Sequence, residues 1–157
     1  MTNKTRTAAA LALMAVLGLI LVFEAQTVRA DGALDVVEPY ARAVPPGQPN
    51  SAVFLQLQNG GDQDRALIGA ESQAADVVEL HTHLEEDGMI KMRQVARIDV
   101  PAGASISLEP GGLHVMLIGL KRQLQPGDDV AMTLKLDDGT ELAVTAPVRK
   151  IMPMGRR

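Results

Sequence analysis

The sequence predicts an all-β fold, an antiparallel sandwich or barrel, and three observations carry that prediction. Short apolar or alternating runs follow one another from about residue 34 onward, turn chemistry rich in Gly, Pro and Asp separates them, and no segment sustains helical periodicity over several turns. "LDVVEPYARAV" ends in the loop "PPGQPN", where Pro removes backbone donors and stops pairing. "SAVFLQLQN" alternates apolar and polar residues, as a half-buried strand does, and gives way to "GGDQD" and then "RALIGAES". A short helical or irregular turn is expected within 70–77. Beyond it, "DVVELHTH" leads through "LEEDG" into "MIKMRQVARIDV", followed by "ASISLE" and "LHVMLIGL", with "PAG" and "PGG" between them. "DVAMTLKL" and "ELAVTAPV" flank Asp-Asp-Gly-Thr, the clearest hairpin signal in the chain; "NGGDQD" and "LEPGGL" are weaker versions of it.

The N-terminus stands apart from this pattern. Lys4 and Arg6 precede an uncharged, mostly apolar run from Ala8 to Phe23, and small residues stand at Val28 and Ala30. This reads as a secretory signal peptide over residues 1–30, cut before Asp31, with an uncleaved membrane anchor as the alternative. One domain, 31–157, is then expected outside the cytoplasm, in the periplasm, with no later segment apolar enough to span a membrane.

Beyond residue 30 the chain carries twelve Lys and Arg against eighteen Asp and Glu. Such an acidic balance argues against nucleic acid, whose binding rests on basic contacts to phosphate. It suits a soluble protein that meets cations or a basic partner. With no cysteine, no thiol serves as nucleophile, redox couple or metal ligand. Tyr40 and Phe54 are the only aromatic residues past the signal, too few for a stacking platform.

The chemistry concentrates in histidine and methionine. In "GGLHVMLIGL", extended chain puts His114, Met116 and Ile118 on one face and Leu113, Val115 and Leu117 on the other. In "ELHTHLEEDGMIKMRQ", a four-residue loop from Glu85 to Gly88 would set His81 opposite Met92 and His83 opposite Ile90, with Met89 on the reverse face. Two imidazoles and two thioethers make a soft, uncharged donor set. Thioether sulfur favours Cu(I), whereas Zn(II), Ca(II) and Mg(II) take thiolate, imidazole or oxygen.

His81, ten residues, Met92, twenty-one residues, His114, one residue, Met116: this string fits the H-x10-M-x21-H-x-M signature of the PCuAC periplasmic copper chaperones. The block "VPAGASISLEPGGLHVMLIGLKRQLQPGDDVAMTL" also resembles that family's centre, and the resemblance runs from about Val36 to Val148. It implies a cupredoxin-like, Greek-key β-sandwich holding one Cu(I) per chain on His81, Met92, His114 and Met116. It also implies a monomeric carrier that delivers copper to an acceptor such as the CuA centre of cytochrome c oxidase, sometimes alongside a Sco-type thiol protein.

Where the chain departs from that pattern, other readings open. His83 is an additional imidazole, either an alternative ligand or an ordinary polar strand residue. Some relatives carry a Met- and His-rich tail that forms a second copper site; here the tail holds Met152 and Met154 without histidine, so a second strong site is not expected. Glu85, Glu86 and Asp87 at the hairpin tip either attract cations or form a solvated turn. Copper storage or resistance is a neighbouring function. A hydrolase using His81, His83 and His114, with Glu86 or Asp87 as acid or base, is the competing enzyme reading, and a metal-free binding module is the third.

Overall fold

The computed structural model describes residues 34–86 and 88–150; the expected signal peptide over 1–30, Asp87, and the tail methionines Met152 and Met154 lie outside them. Ten strands follow in order: β1 (Leu34–Arg42), β2 (Asn50–Asn59), β3 (Arg65–Glu71), β4 (Ala75–Glu86), β5 (Met89–Gln94), β6 (Ile98–Val100), β7 (Ser105–Leu108), β8 (His114–Leu120), β9 (Asp129–Leu136) and β10 (Glu141–Arg149). No helix occurs among the described residues, and none is long and apolar enough to cross a membrane.

Hydrogen bonding orders the strands β5-β4-β8-β2-β1-β10-β9-β3-β6, with β7 also on β2. All these pairs are antiparallel except β1 with β10, which meet in parallel at Ala41–Val148 and Arg42–Arg149. That short parallel seam joins two sheets, β5-β4-β8-β2-β1 and β10-β9-β3-β6, into a mixed β-sandwich of cupredoxin-like form. Alternation dictates the core. In β9, Val130, Met132, Leu134 and Leu136 are buried while Asp129 and Ala131 are exposed. Leu57, Leu67, Leu117, Leu134, Val53 and Val115, each fully buried, pack between the sheets. Asn59 is buried among them because its amide donates to the Gln63 and Val100 carbonyls, which offsets the loss of water.

The expected β9–β10 hairpin is present: Gly139, at φ +84°, donates to the Leu136 carbonyl at 3.1 Å. The other two weak hairpin signals connect strands that do not pair with each other. "NGGDQD" carries the chain from β2 in one sheet to β3 in the other, and "LEPGGL" links β7 to β8, which lie along the same side of β2. "MIKMRQVARIDV" is not one strand but two, since β5 pairs with β4 and β6 with β3 in the opposite sheet. Residues 72–74 form the irregular turn expected within 70–77, without a helix.

The β4–β5 hairpin departs from expectation in its register. Glu86 pairs with Met89, so only Asp87 and Gly88 stand between the strands, with Gly88 at φ +75°, where a residue without Cβ is unstrained. His83, rather than His81, is therefore opposite Met92, and His81 is opposite Gln94. The slip is two residues. Because side chains alternate with period two, it leaves His81, His83 and Met92 on the expected shared face and Met89 on the other.

Candidate metal centre

His114 and Met116 lie on β8 with Val115 and Leu117 between and beyond them pointing into the core, so the imidazole and thioether share the outer face of the sheet. β4 runs antiparallel beside β8, with His81 opposite His114 and Glu79 opposite Met116. β5 then adds Met92 next to His83. On the other side of β8, Ala52 of β2 is opposite Met116, and the Phe54 ring lies 6.2 Å from that of His114. The Tyr40 ring of β1 packs tilted against Phe54, with centroids 5.2 Å apart. These aromatic rings wall the site on one side.

All four sequence-predicted residues, His81, Met92, His114 and Met116, come to one face of adjacent strands. They differ in access. His114 is buried, Met116 and His81 are half-buried, and Met92 is 45% exposed, so the site has a closed floor and an open rim. An open cavity of about 480 Å³ above the sheet is lined by His83, Met92, His114 and Met116, together with Phe54 and the loop after β1. His81 does not line this cavity, and its ring is 5.9 Å from that of His114; the His83 ring is closer, stacked at 5.1 Å and 29°.

Hydrogen bonds decide which ring nitrogens are free. Glu109-Pro110-Gly111-Gly112 forms a turn in which Gly112 N–H donates to the Glu109 carbonyl at 3.0 Å; Gly111, at φ +89° after Pro110, fits the type II pattern. The turn aims the Gly112 carbonyl at His114, whose Nδ1–H donates to it at 3.0 Å. A carbonyl only accepts, so Nδ1 carries the proton and the Nε2 lone pair is left for a cation. His81 is held the opposite way round: Nε2–H donates to Glu79 Oε2 at 2.8 Å, which leaves Nδ1 as the lone pair. That Nδ1 is buried without a partner, and so is Nδ1 of His83. Burial pushes the His114 pKa down, against the Gly112 carbonyl, which raises it, and together with the repulsion of the neighbouring imidazoles. The ring is thus kept in the neutral form that binds metal.

Glu79 had no place in the sequence reading, yet the Glu-x-His spacing on one strand signals it, since residues two apart share a face. Of the acidic tip, Glu86 lies on the reverse face, where it pairs with Lys91 at 3.0 Å and Arg93 at 2.8 Å. Those contacts, that with Arg93 foremost, hold its carboxyl below the usual range, so it is neither a general acid nor a base for the histidines. Among the described residues no three His, Cys, Asp or Glu side chains are gathered as a metal centre.

Fold and site together define a cupredoxin-like β-sandwich domain that presents imidazole and thioether donors on the outer face of one sheet. The chain belongs to the family described as "Putative lipoprotein LpqE-like", whose model matches residues 34–148. It is 34% identical over 122 residues to the "Putative lipoprotein Lxx21020" of Leifsonia xyli, covering 77% of this chain and 72% of that one. Among solved structures it is similar to Cu(I)-bound DR1885 from Deinococcus radiodurans, with 38% identity, a TM-score of 0.62, and coverage of 80% of this chain and 85% of that one. The copper-bound PCuAC domain from PmoF2 shares the fold at a TM-score of 0.65 and 23% identity, covering 77% of this chain and 96% of that domain. The PCuAC resemblance carried by the motifs is thus matched in three dimensions.

Proposed function

We propose that this protein is a periplasmic metallochaperone that holds one Cu(I) on His81, Met92, His114 and Met116 and passes it to an acceptor protein. The observation that carries the reading is the convergence of imidazole and thioether side chains, without any thiolate, on one face at a cavity open to solvent. Neutral sulfur donors stabilise Cu(I) over harder cations. The DR1885 structure, in a Cu(I) state, and the PmoF2 domain, in a copper-bound state, support the same ion here.

Release follows from the gradient of burial. His114 is fixed by its carbonyl contact and anchors the ion, while Met92 at the exposed rim is the ligand most readily exchanged. An incoming Cys, His or Met of the acceptor enters as Met92 leaves, and no organic bond is made or broken. The acceptor we favour is the CuA centre of cytochrome c oxidase, with a Sco-type thiol protein as companion. Export is proposed through the signal at residues 1–30.

The test is transfer. Cu(I)-loaded protein is mixed anaerobically with a metal-free CuA domain, and the visible spectrum of the centre is followed after oxidation. Appearance of the CuA spectrum with loss of copper from the donor supports the chaperone reading. Retention of copper against every thiol- or imidazole-bearing acceptor points to storage.

A further inference from the structure

We propose that His83 is a copper donor in its own right, an imidazole alternative to His81 through which the ion first rests on His83, Met92, His114 and Met116. The proposal rests on the copper reading above and names a ligand outside the four of the spacing signature.

Three observations carry it. The hairpin register pairs His83 with Met92, and directly opposed side chains on one face lie about 4.5–5.5 Å apart at Cβ. His83 is thus the imidazole nearest the exposed thioether, a position the spacing alone assigns to His81. The cavity through which solvent reaches the site is lined by His83, Met92, His114 and Met116, and His81 is not among its lining residues. The His83 ring also lies closer to that of His114, the buried anchor, than the His81 ring does, at 5.1 Å against 5.9 Å.

His83 is not an ordinary exposed strand residue. It is half-buried, and its Nδ1 has no hydrogen-bond partner, an unfavourable situation for a buried polar group that a bound cation relieves. His81 has an equally unpartnered Nδ1, but its Nε2 is committed to Glu79. Two imidazoles of β4 beside one anchor on β8 let an ion move between a set with His83, which lines the cavity, and a set with His81, while His114 stays bound. Each set contains two imidazoles and two thioethers, so both suit Cu(I).

The experiment is a long-range 1H–15N spectrum of the histidine rings of the full chain, without metal and with one equivalent of Cu(I), on the wild type and on His81→Ala and His81→Ala/His83→Ala. The proposal predicts that the His83 ring nitrogens shift on loading of the wild type, that His81→Ala still takes up Cu(I), and that the double variant does not. A His83 ring unmoved while His81 and His114 shift in the wild type overturns it, with the copper reading intact. If the wild type takes up no Cu(I), the copper reading itself fails and this proposal with it.

Discussion

His81 donates its Nε2–H to Glu79 Oε2 at 2.8 Å, and its buried Nδ1 is thereby left as an unpartnered lone pair facing the same sheet surface as His114. A carboxylate behind an imidazole fixes the tautomer and raises the basicity of the free nitrogen. Glu79 therefore positions His81 without touching the ion. Glu79→Leu is expected to weaken Cu(I) retention by roughly 10–100-fold, as loss of such an outer partner does elsewhere. Competition against a chromogenic Cu(I) chelator measures it; an affinity equal to wild type removes Glu79 from the account.

The two thioethers separate binding from folding. Met92 is at the rim and Met116 half-buried, and Met-to-Leu swaps conserve volume, so Met92→Leu and Met116→Leu should each cost less than about 1.5 kcal/mol of stability. Removing a direct ligand should lower Cu(I) affinity by more than the roughly 10–100-fold expected of an outer partner. Chemical denaturation and chelator competition on the same samples give the two numbers. Wild-type Cu(I) affinity in both variants would remove the thioethers from the donor set.

The buried His114 makes the metal-free protein sensitive to acid. Burial lowers its pKa in the folded state below the ordinary value of 6.5, so below 6.5 the unfolded chain binds the proton more readily than the folded one. Stability from this group is full above that value and is lost as pH falls through the lower folded pKa. His81 and His83 of β4 face this ring, and Glu79 acts on it only through His81, whose Nε2–H it accepts. Melting temperatures measured from pH 7.5 to 5 should fall more steeply for wild type than for His114→Gln. Parallel curves for the two proteins would contradict a proton-linked role for this ring.

Gly119 closes β8 where the backbone turns at φ +69°, and a Cβ there would meet Asp76 Oδ2 at 2.7 Å and Asp76 Cβ at 3.1 Å. Left-handed backbone at a residue with a Cβ costs about 1–3 kcal/mol, and the crowding at Asp76 adds to it. Gly119→Ala is expected to destabilise the protein by at least that range in denaturant, with Asp76→Ala relieving part of the loss. Gly139→Ala, also at positive φ but with open space around its Cβ position, should stay within the conformational cost alone.

Most of the strands were legible because alternation and turn residues are local signals. The shared face of His114 and Met116 follows from period two alone, and the observed burial of Val115 and Leu117 agrees with it. The His81–Met92 register was misread because Glu85 and Glu86 look like loop residues, yet they extend β4 to a two-residue turn. The even slip preserves the faces, which is why His81, His83 and Met92 still share one. The division of "MIKMRQVARIDV" between two sheets, the parallel β1–β10 seam, and the closeness of His83 to His114 depend on partners far away in sequence. No local pattern encodes them.

X-ray absorption at the copper edge of the protein loaded anaerobically with one equivalent of Cu(I) tests the central claim most directly. The account predicts a cuprous ion with a first shell that mixes imidazole nitrogen with thioether sulfur, and loss of part of the sulfur contribution in Met92→Leu. A shell of nitrogen and oxygen alone, unchanged by that substitution, would contradict it.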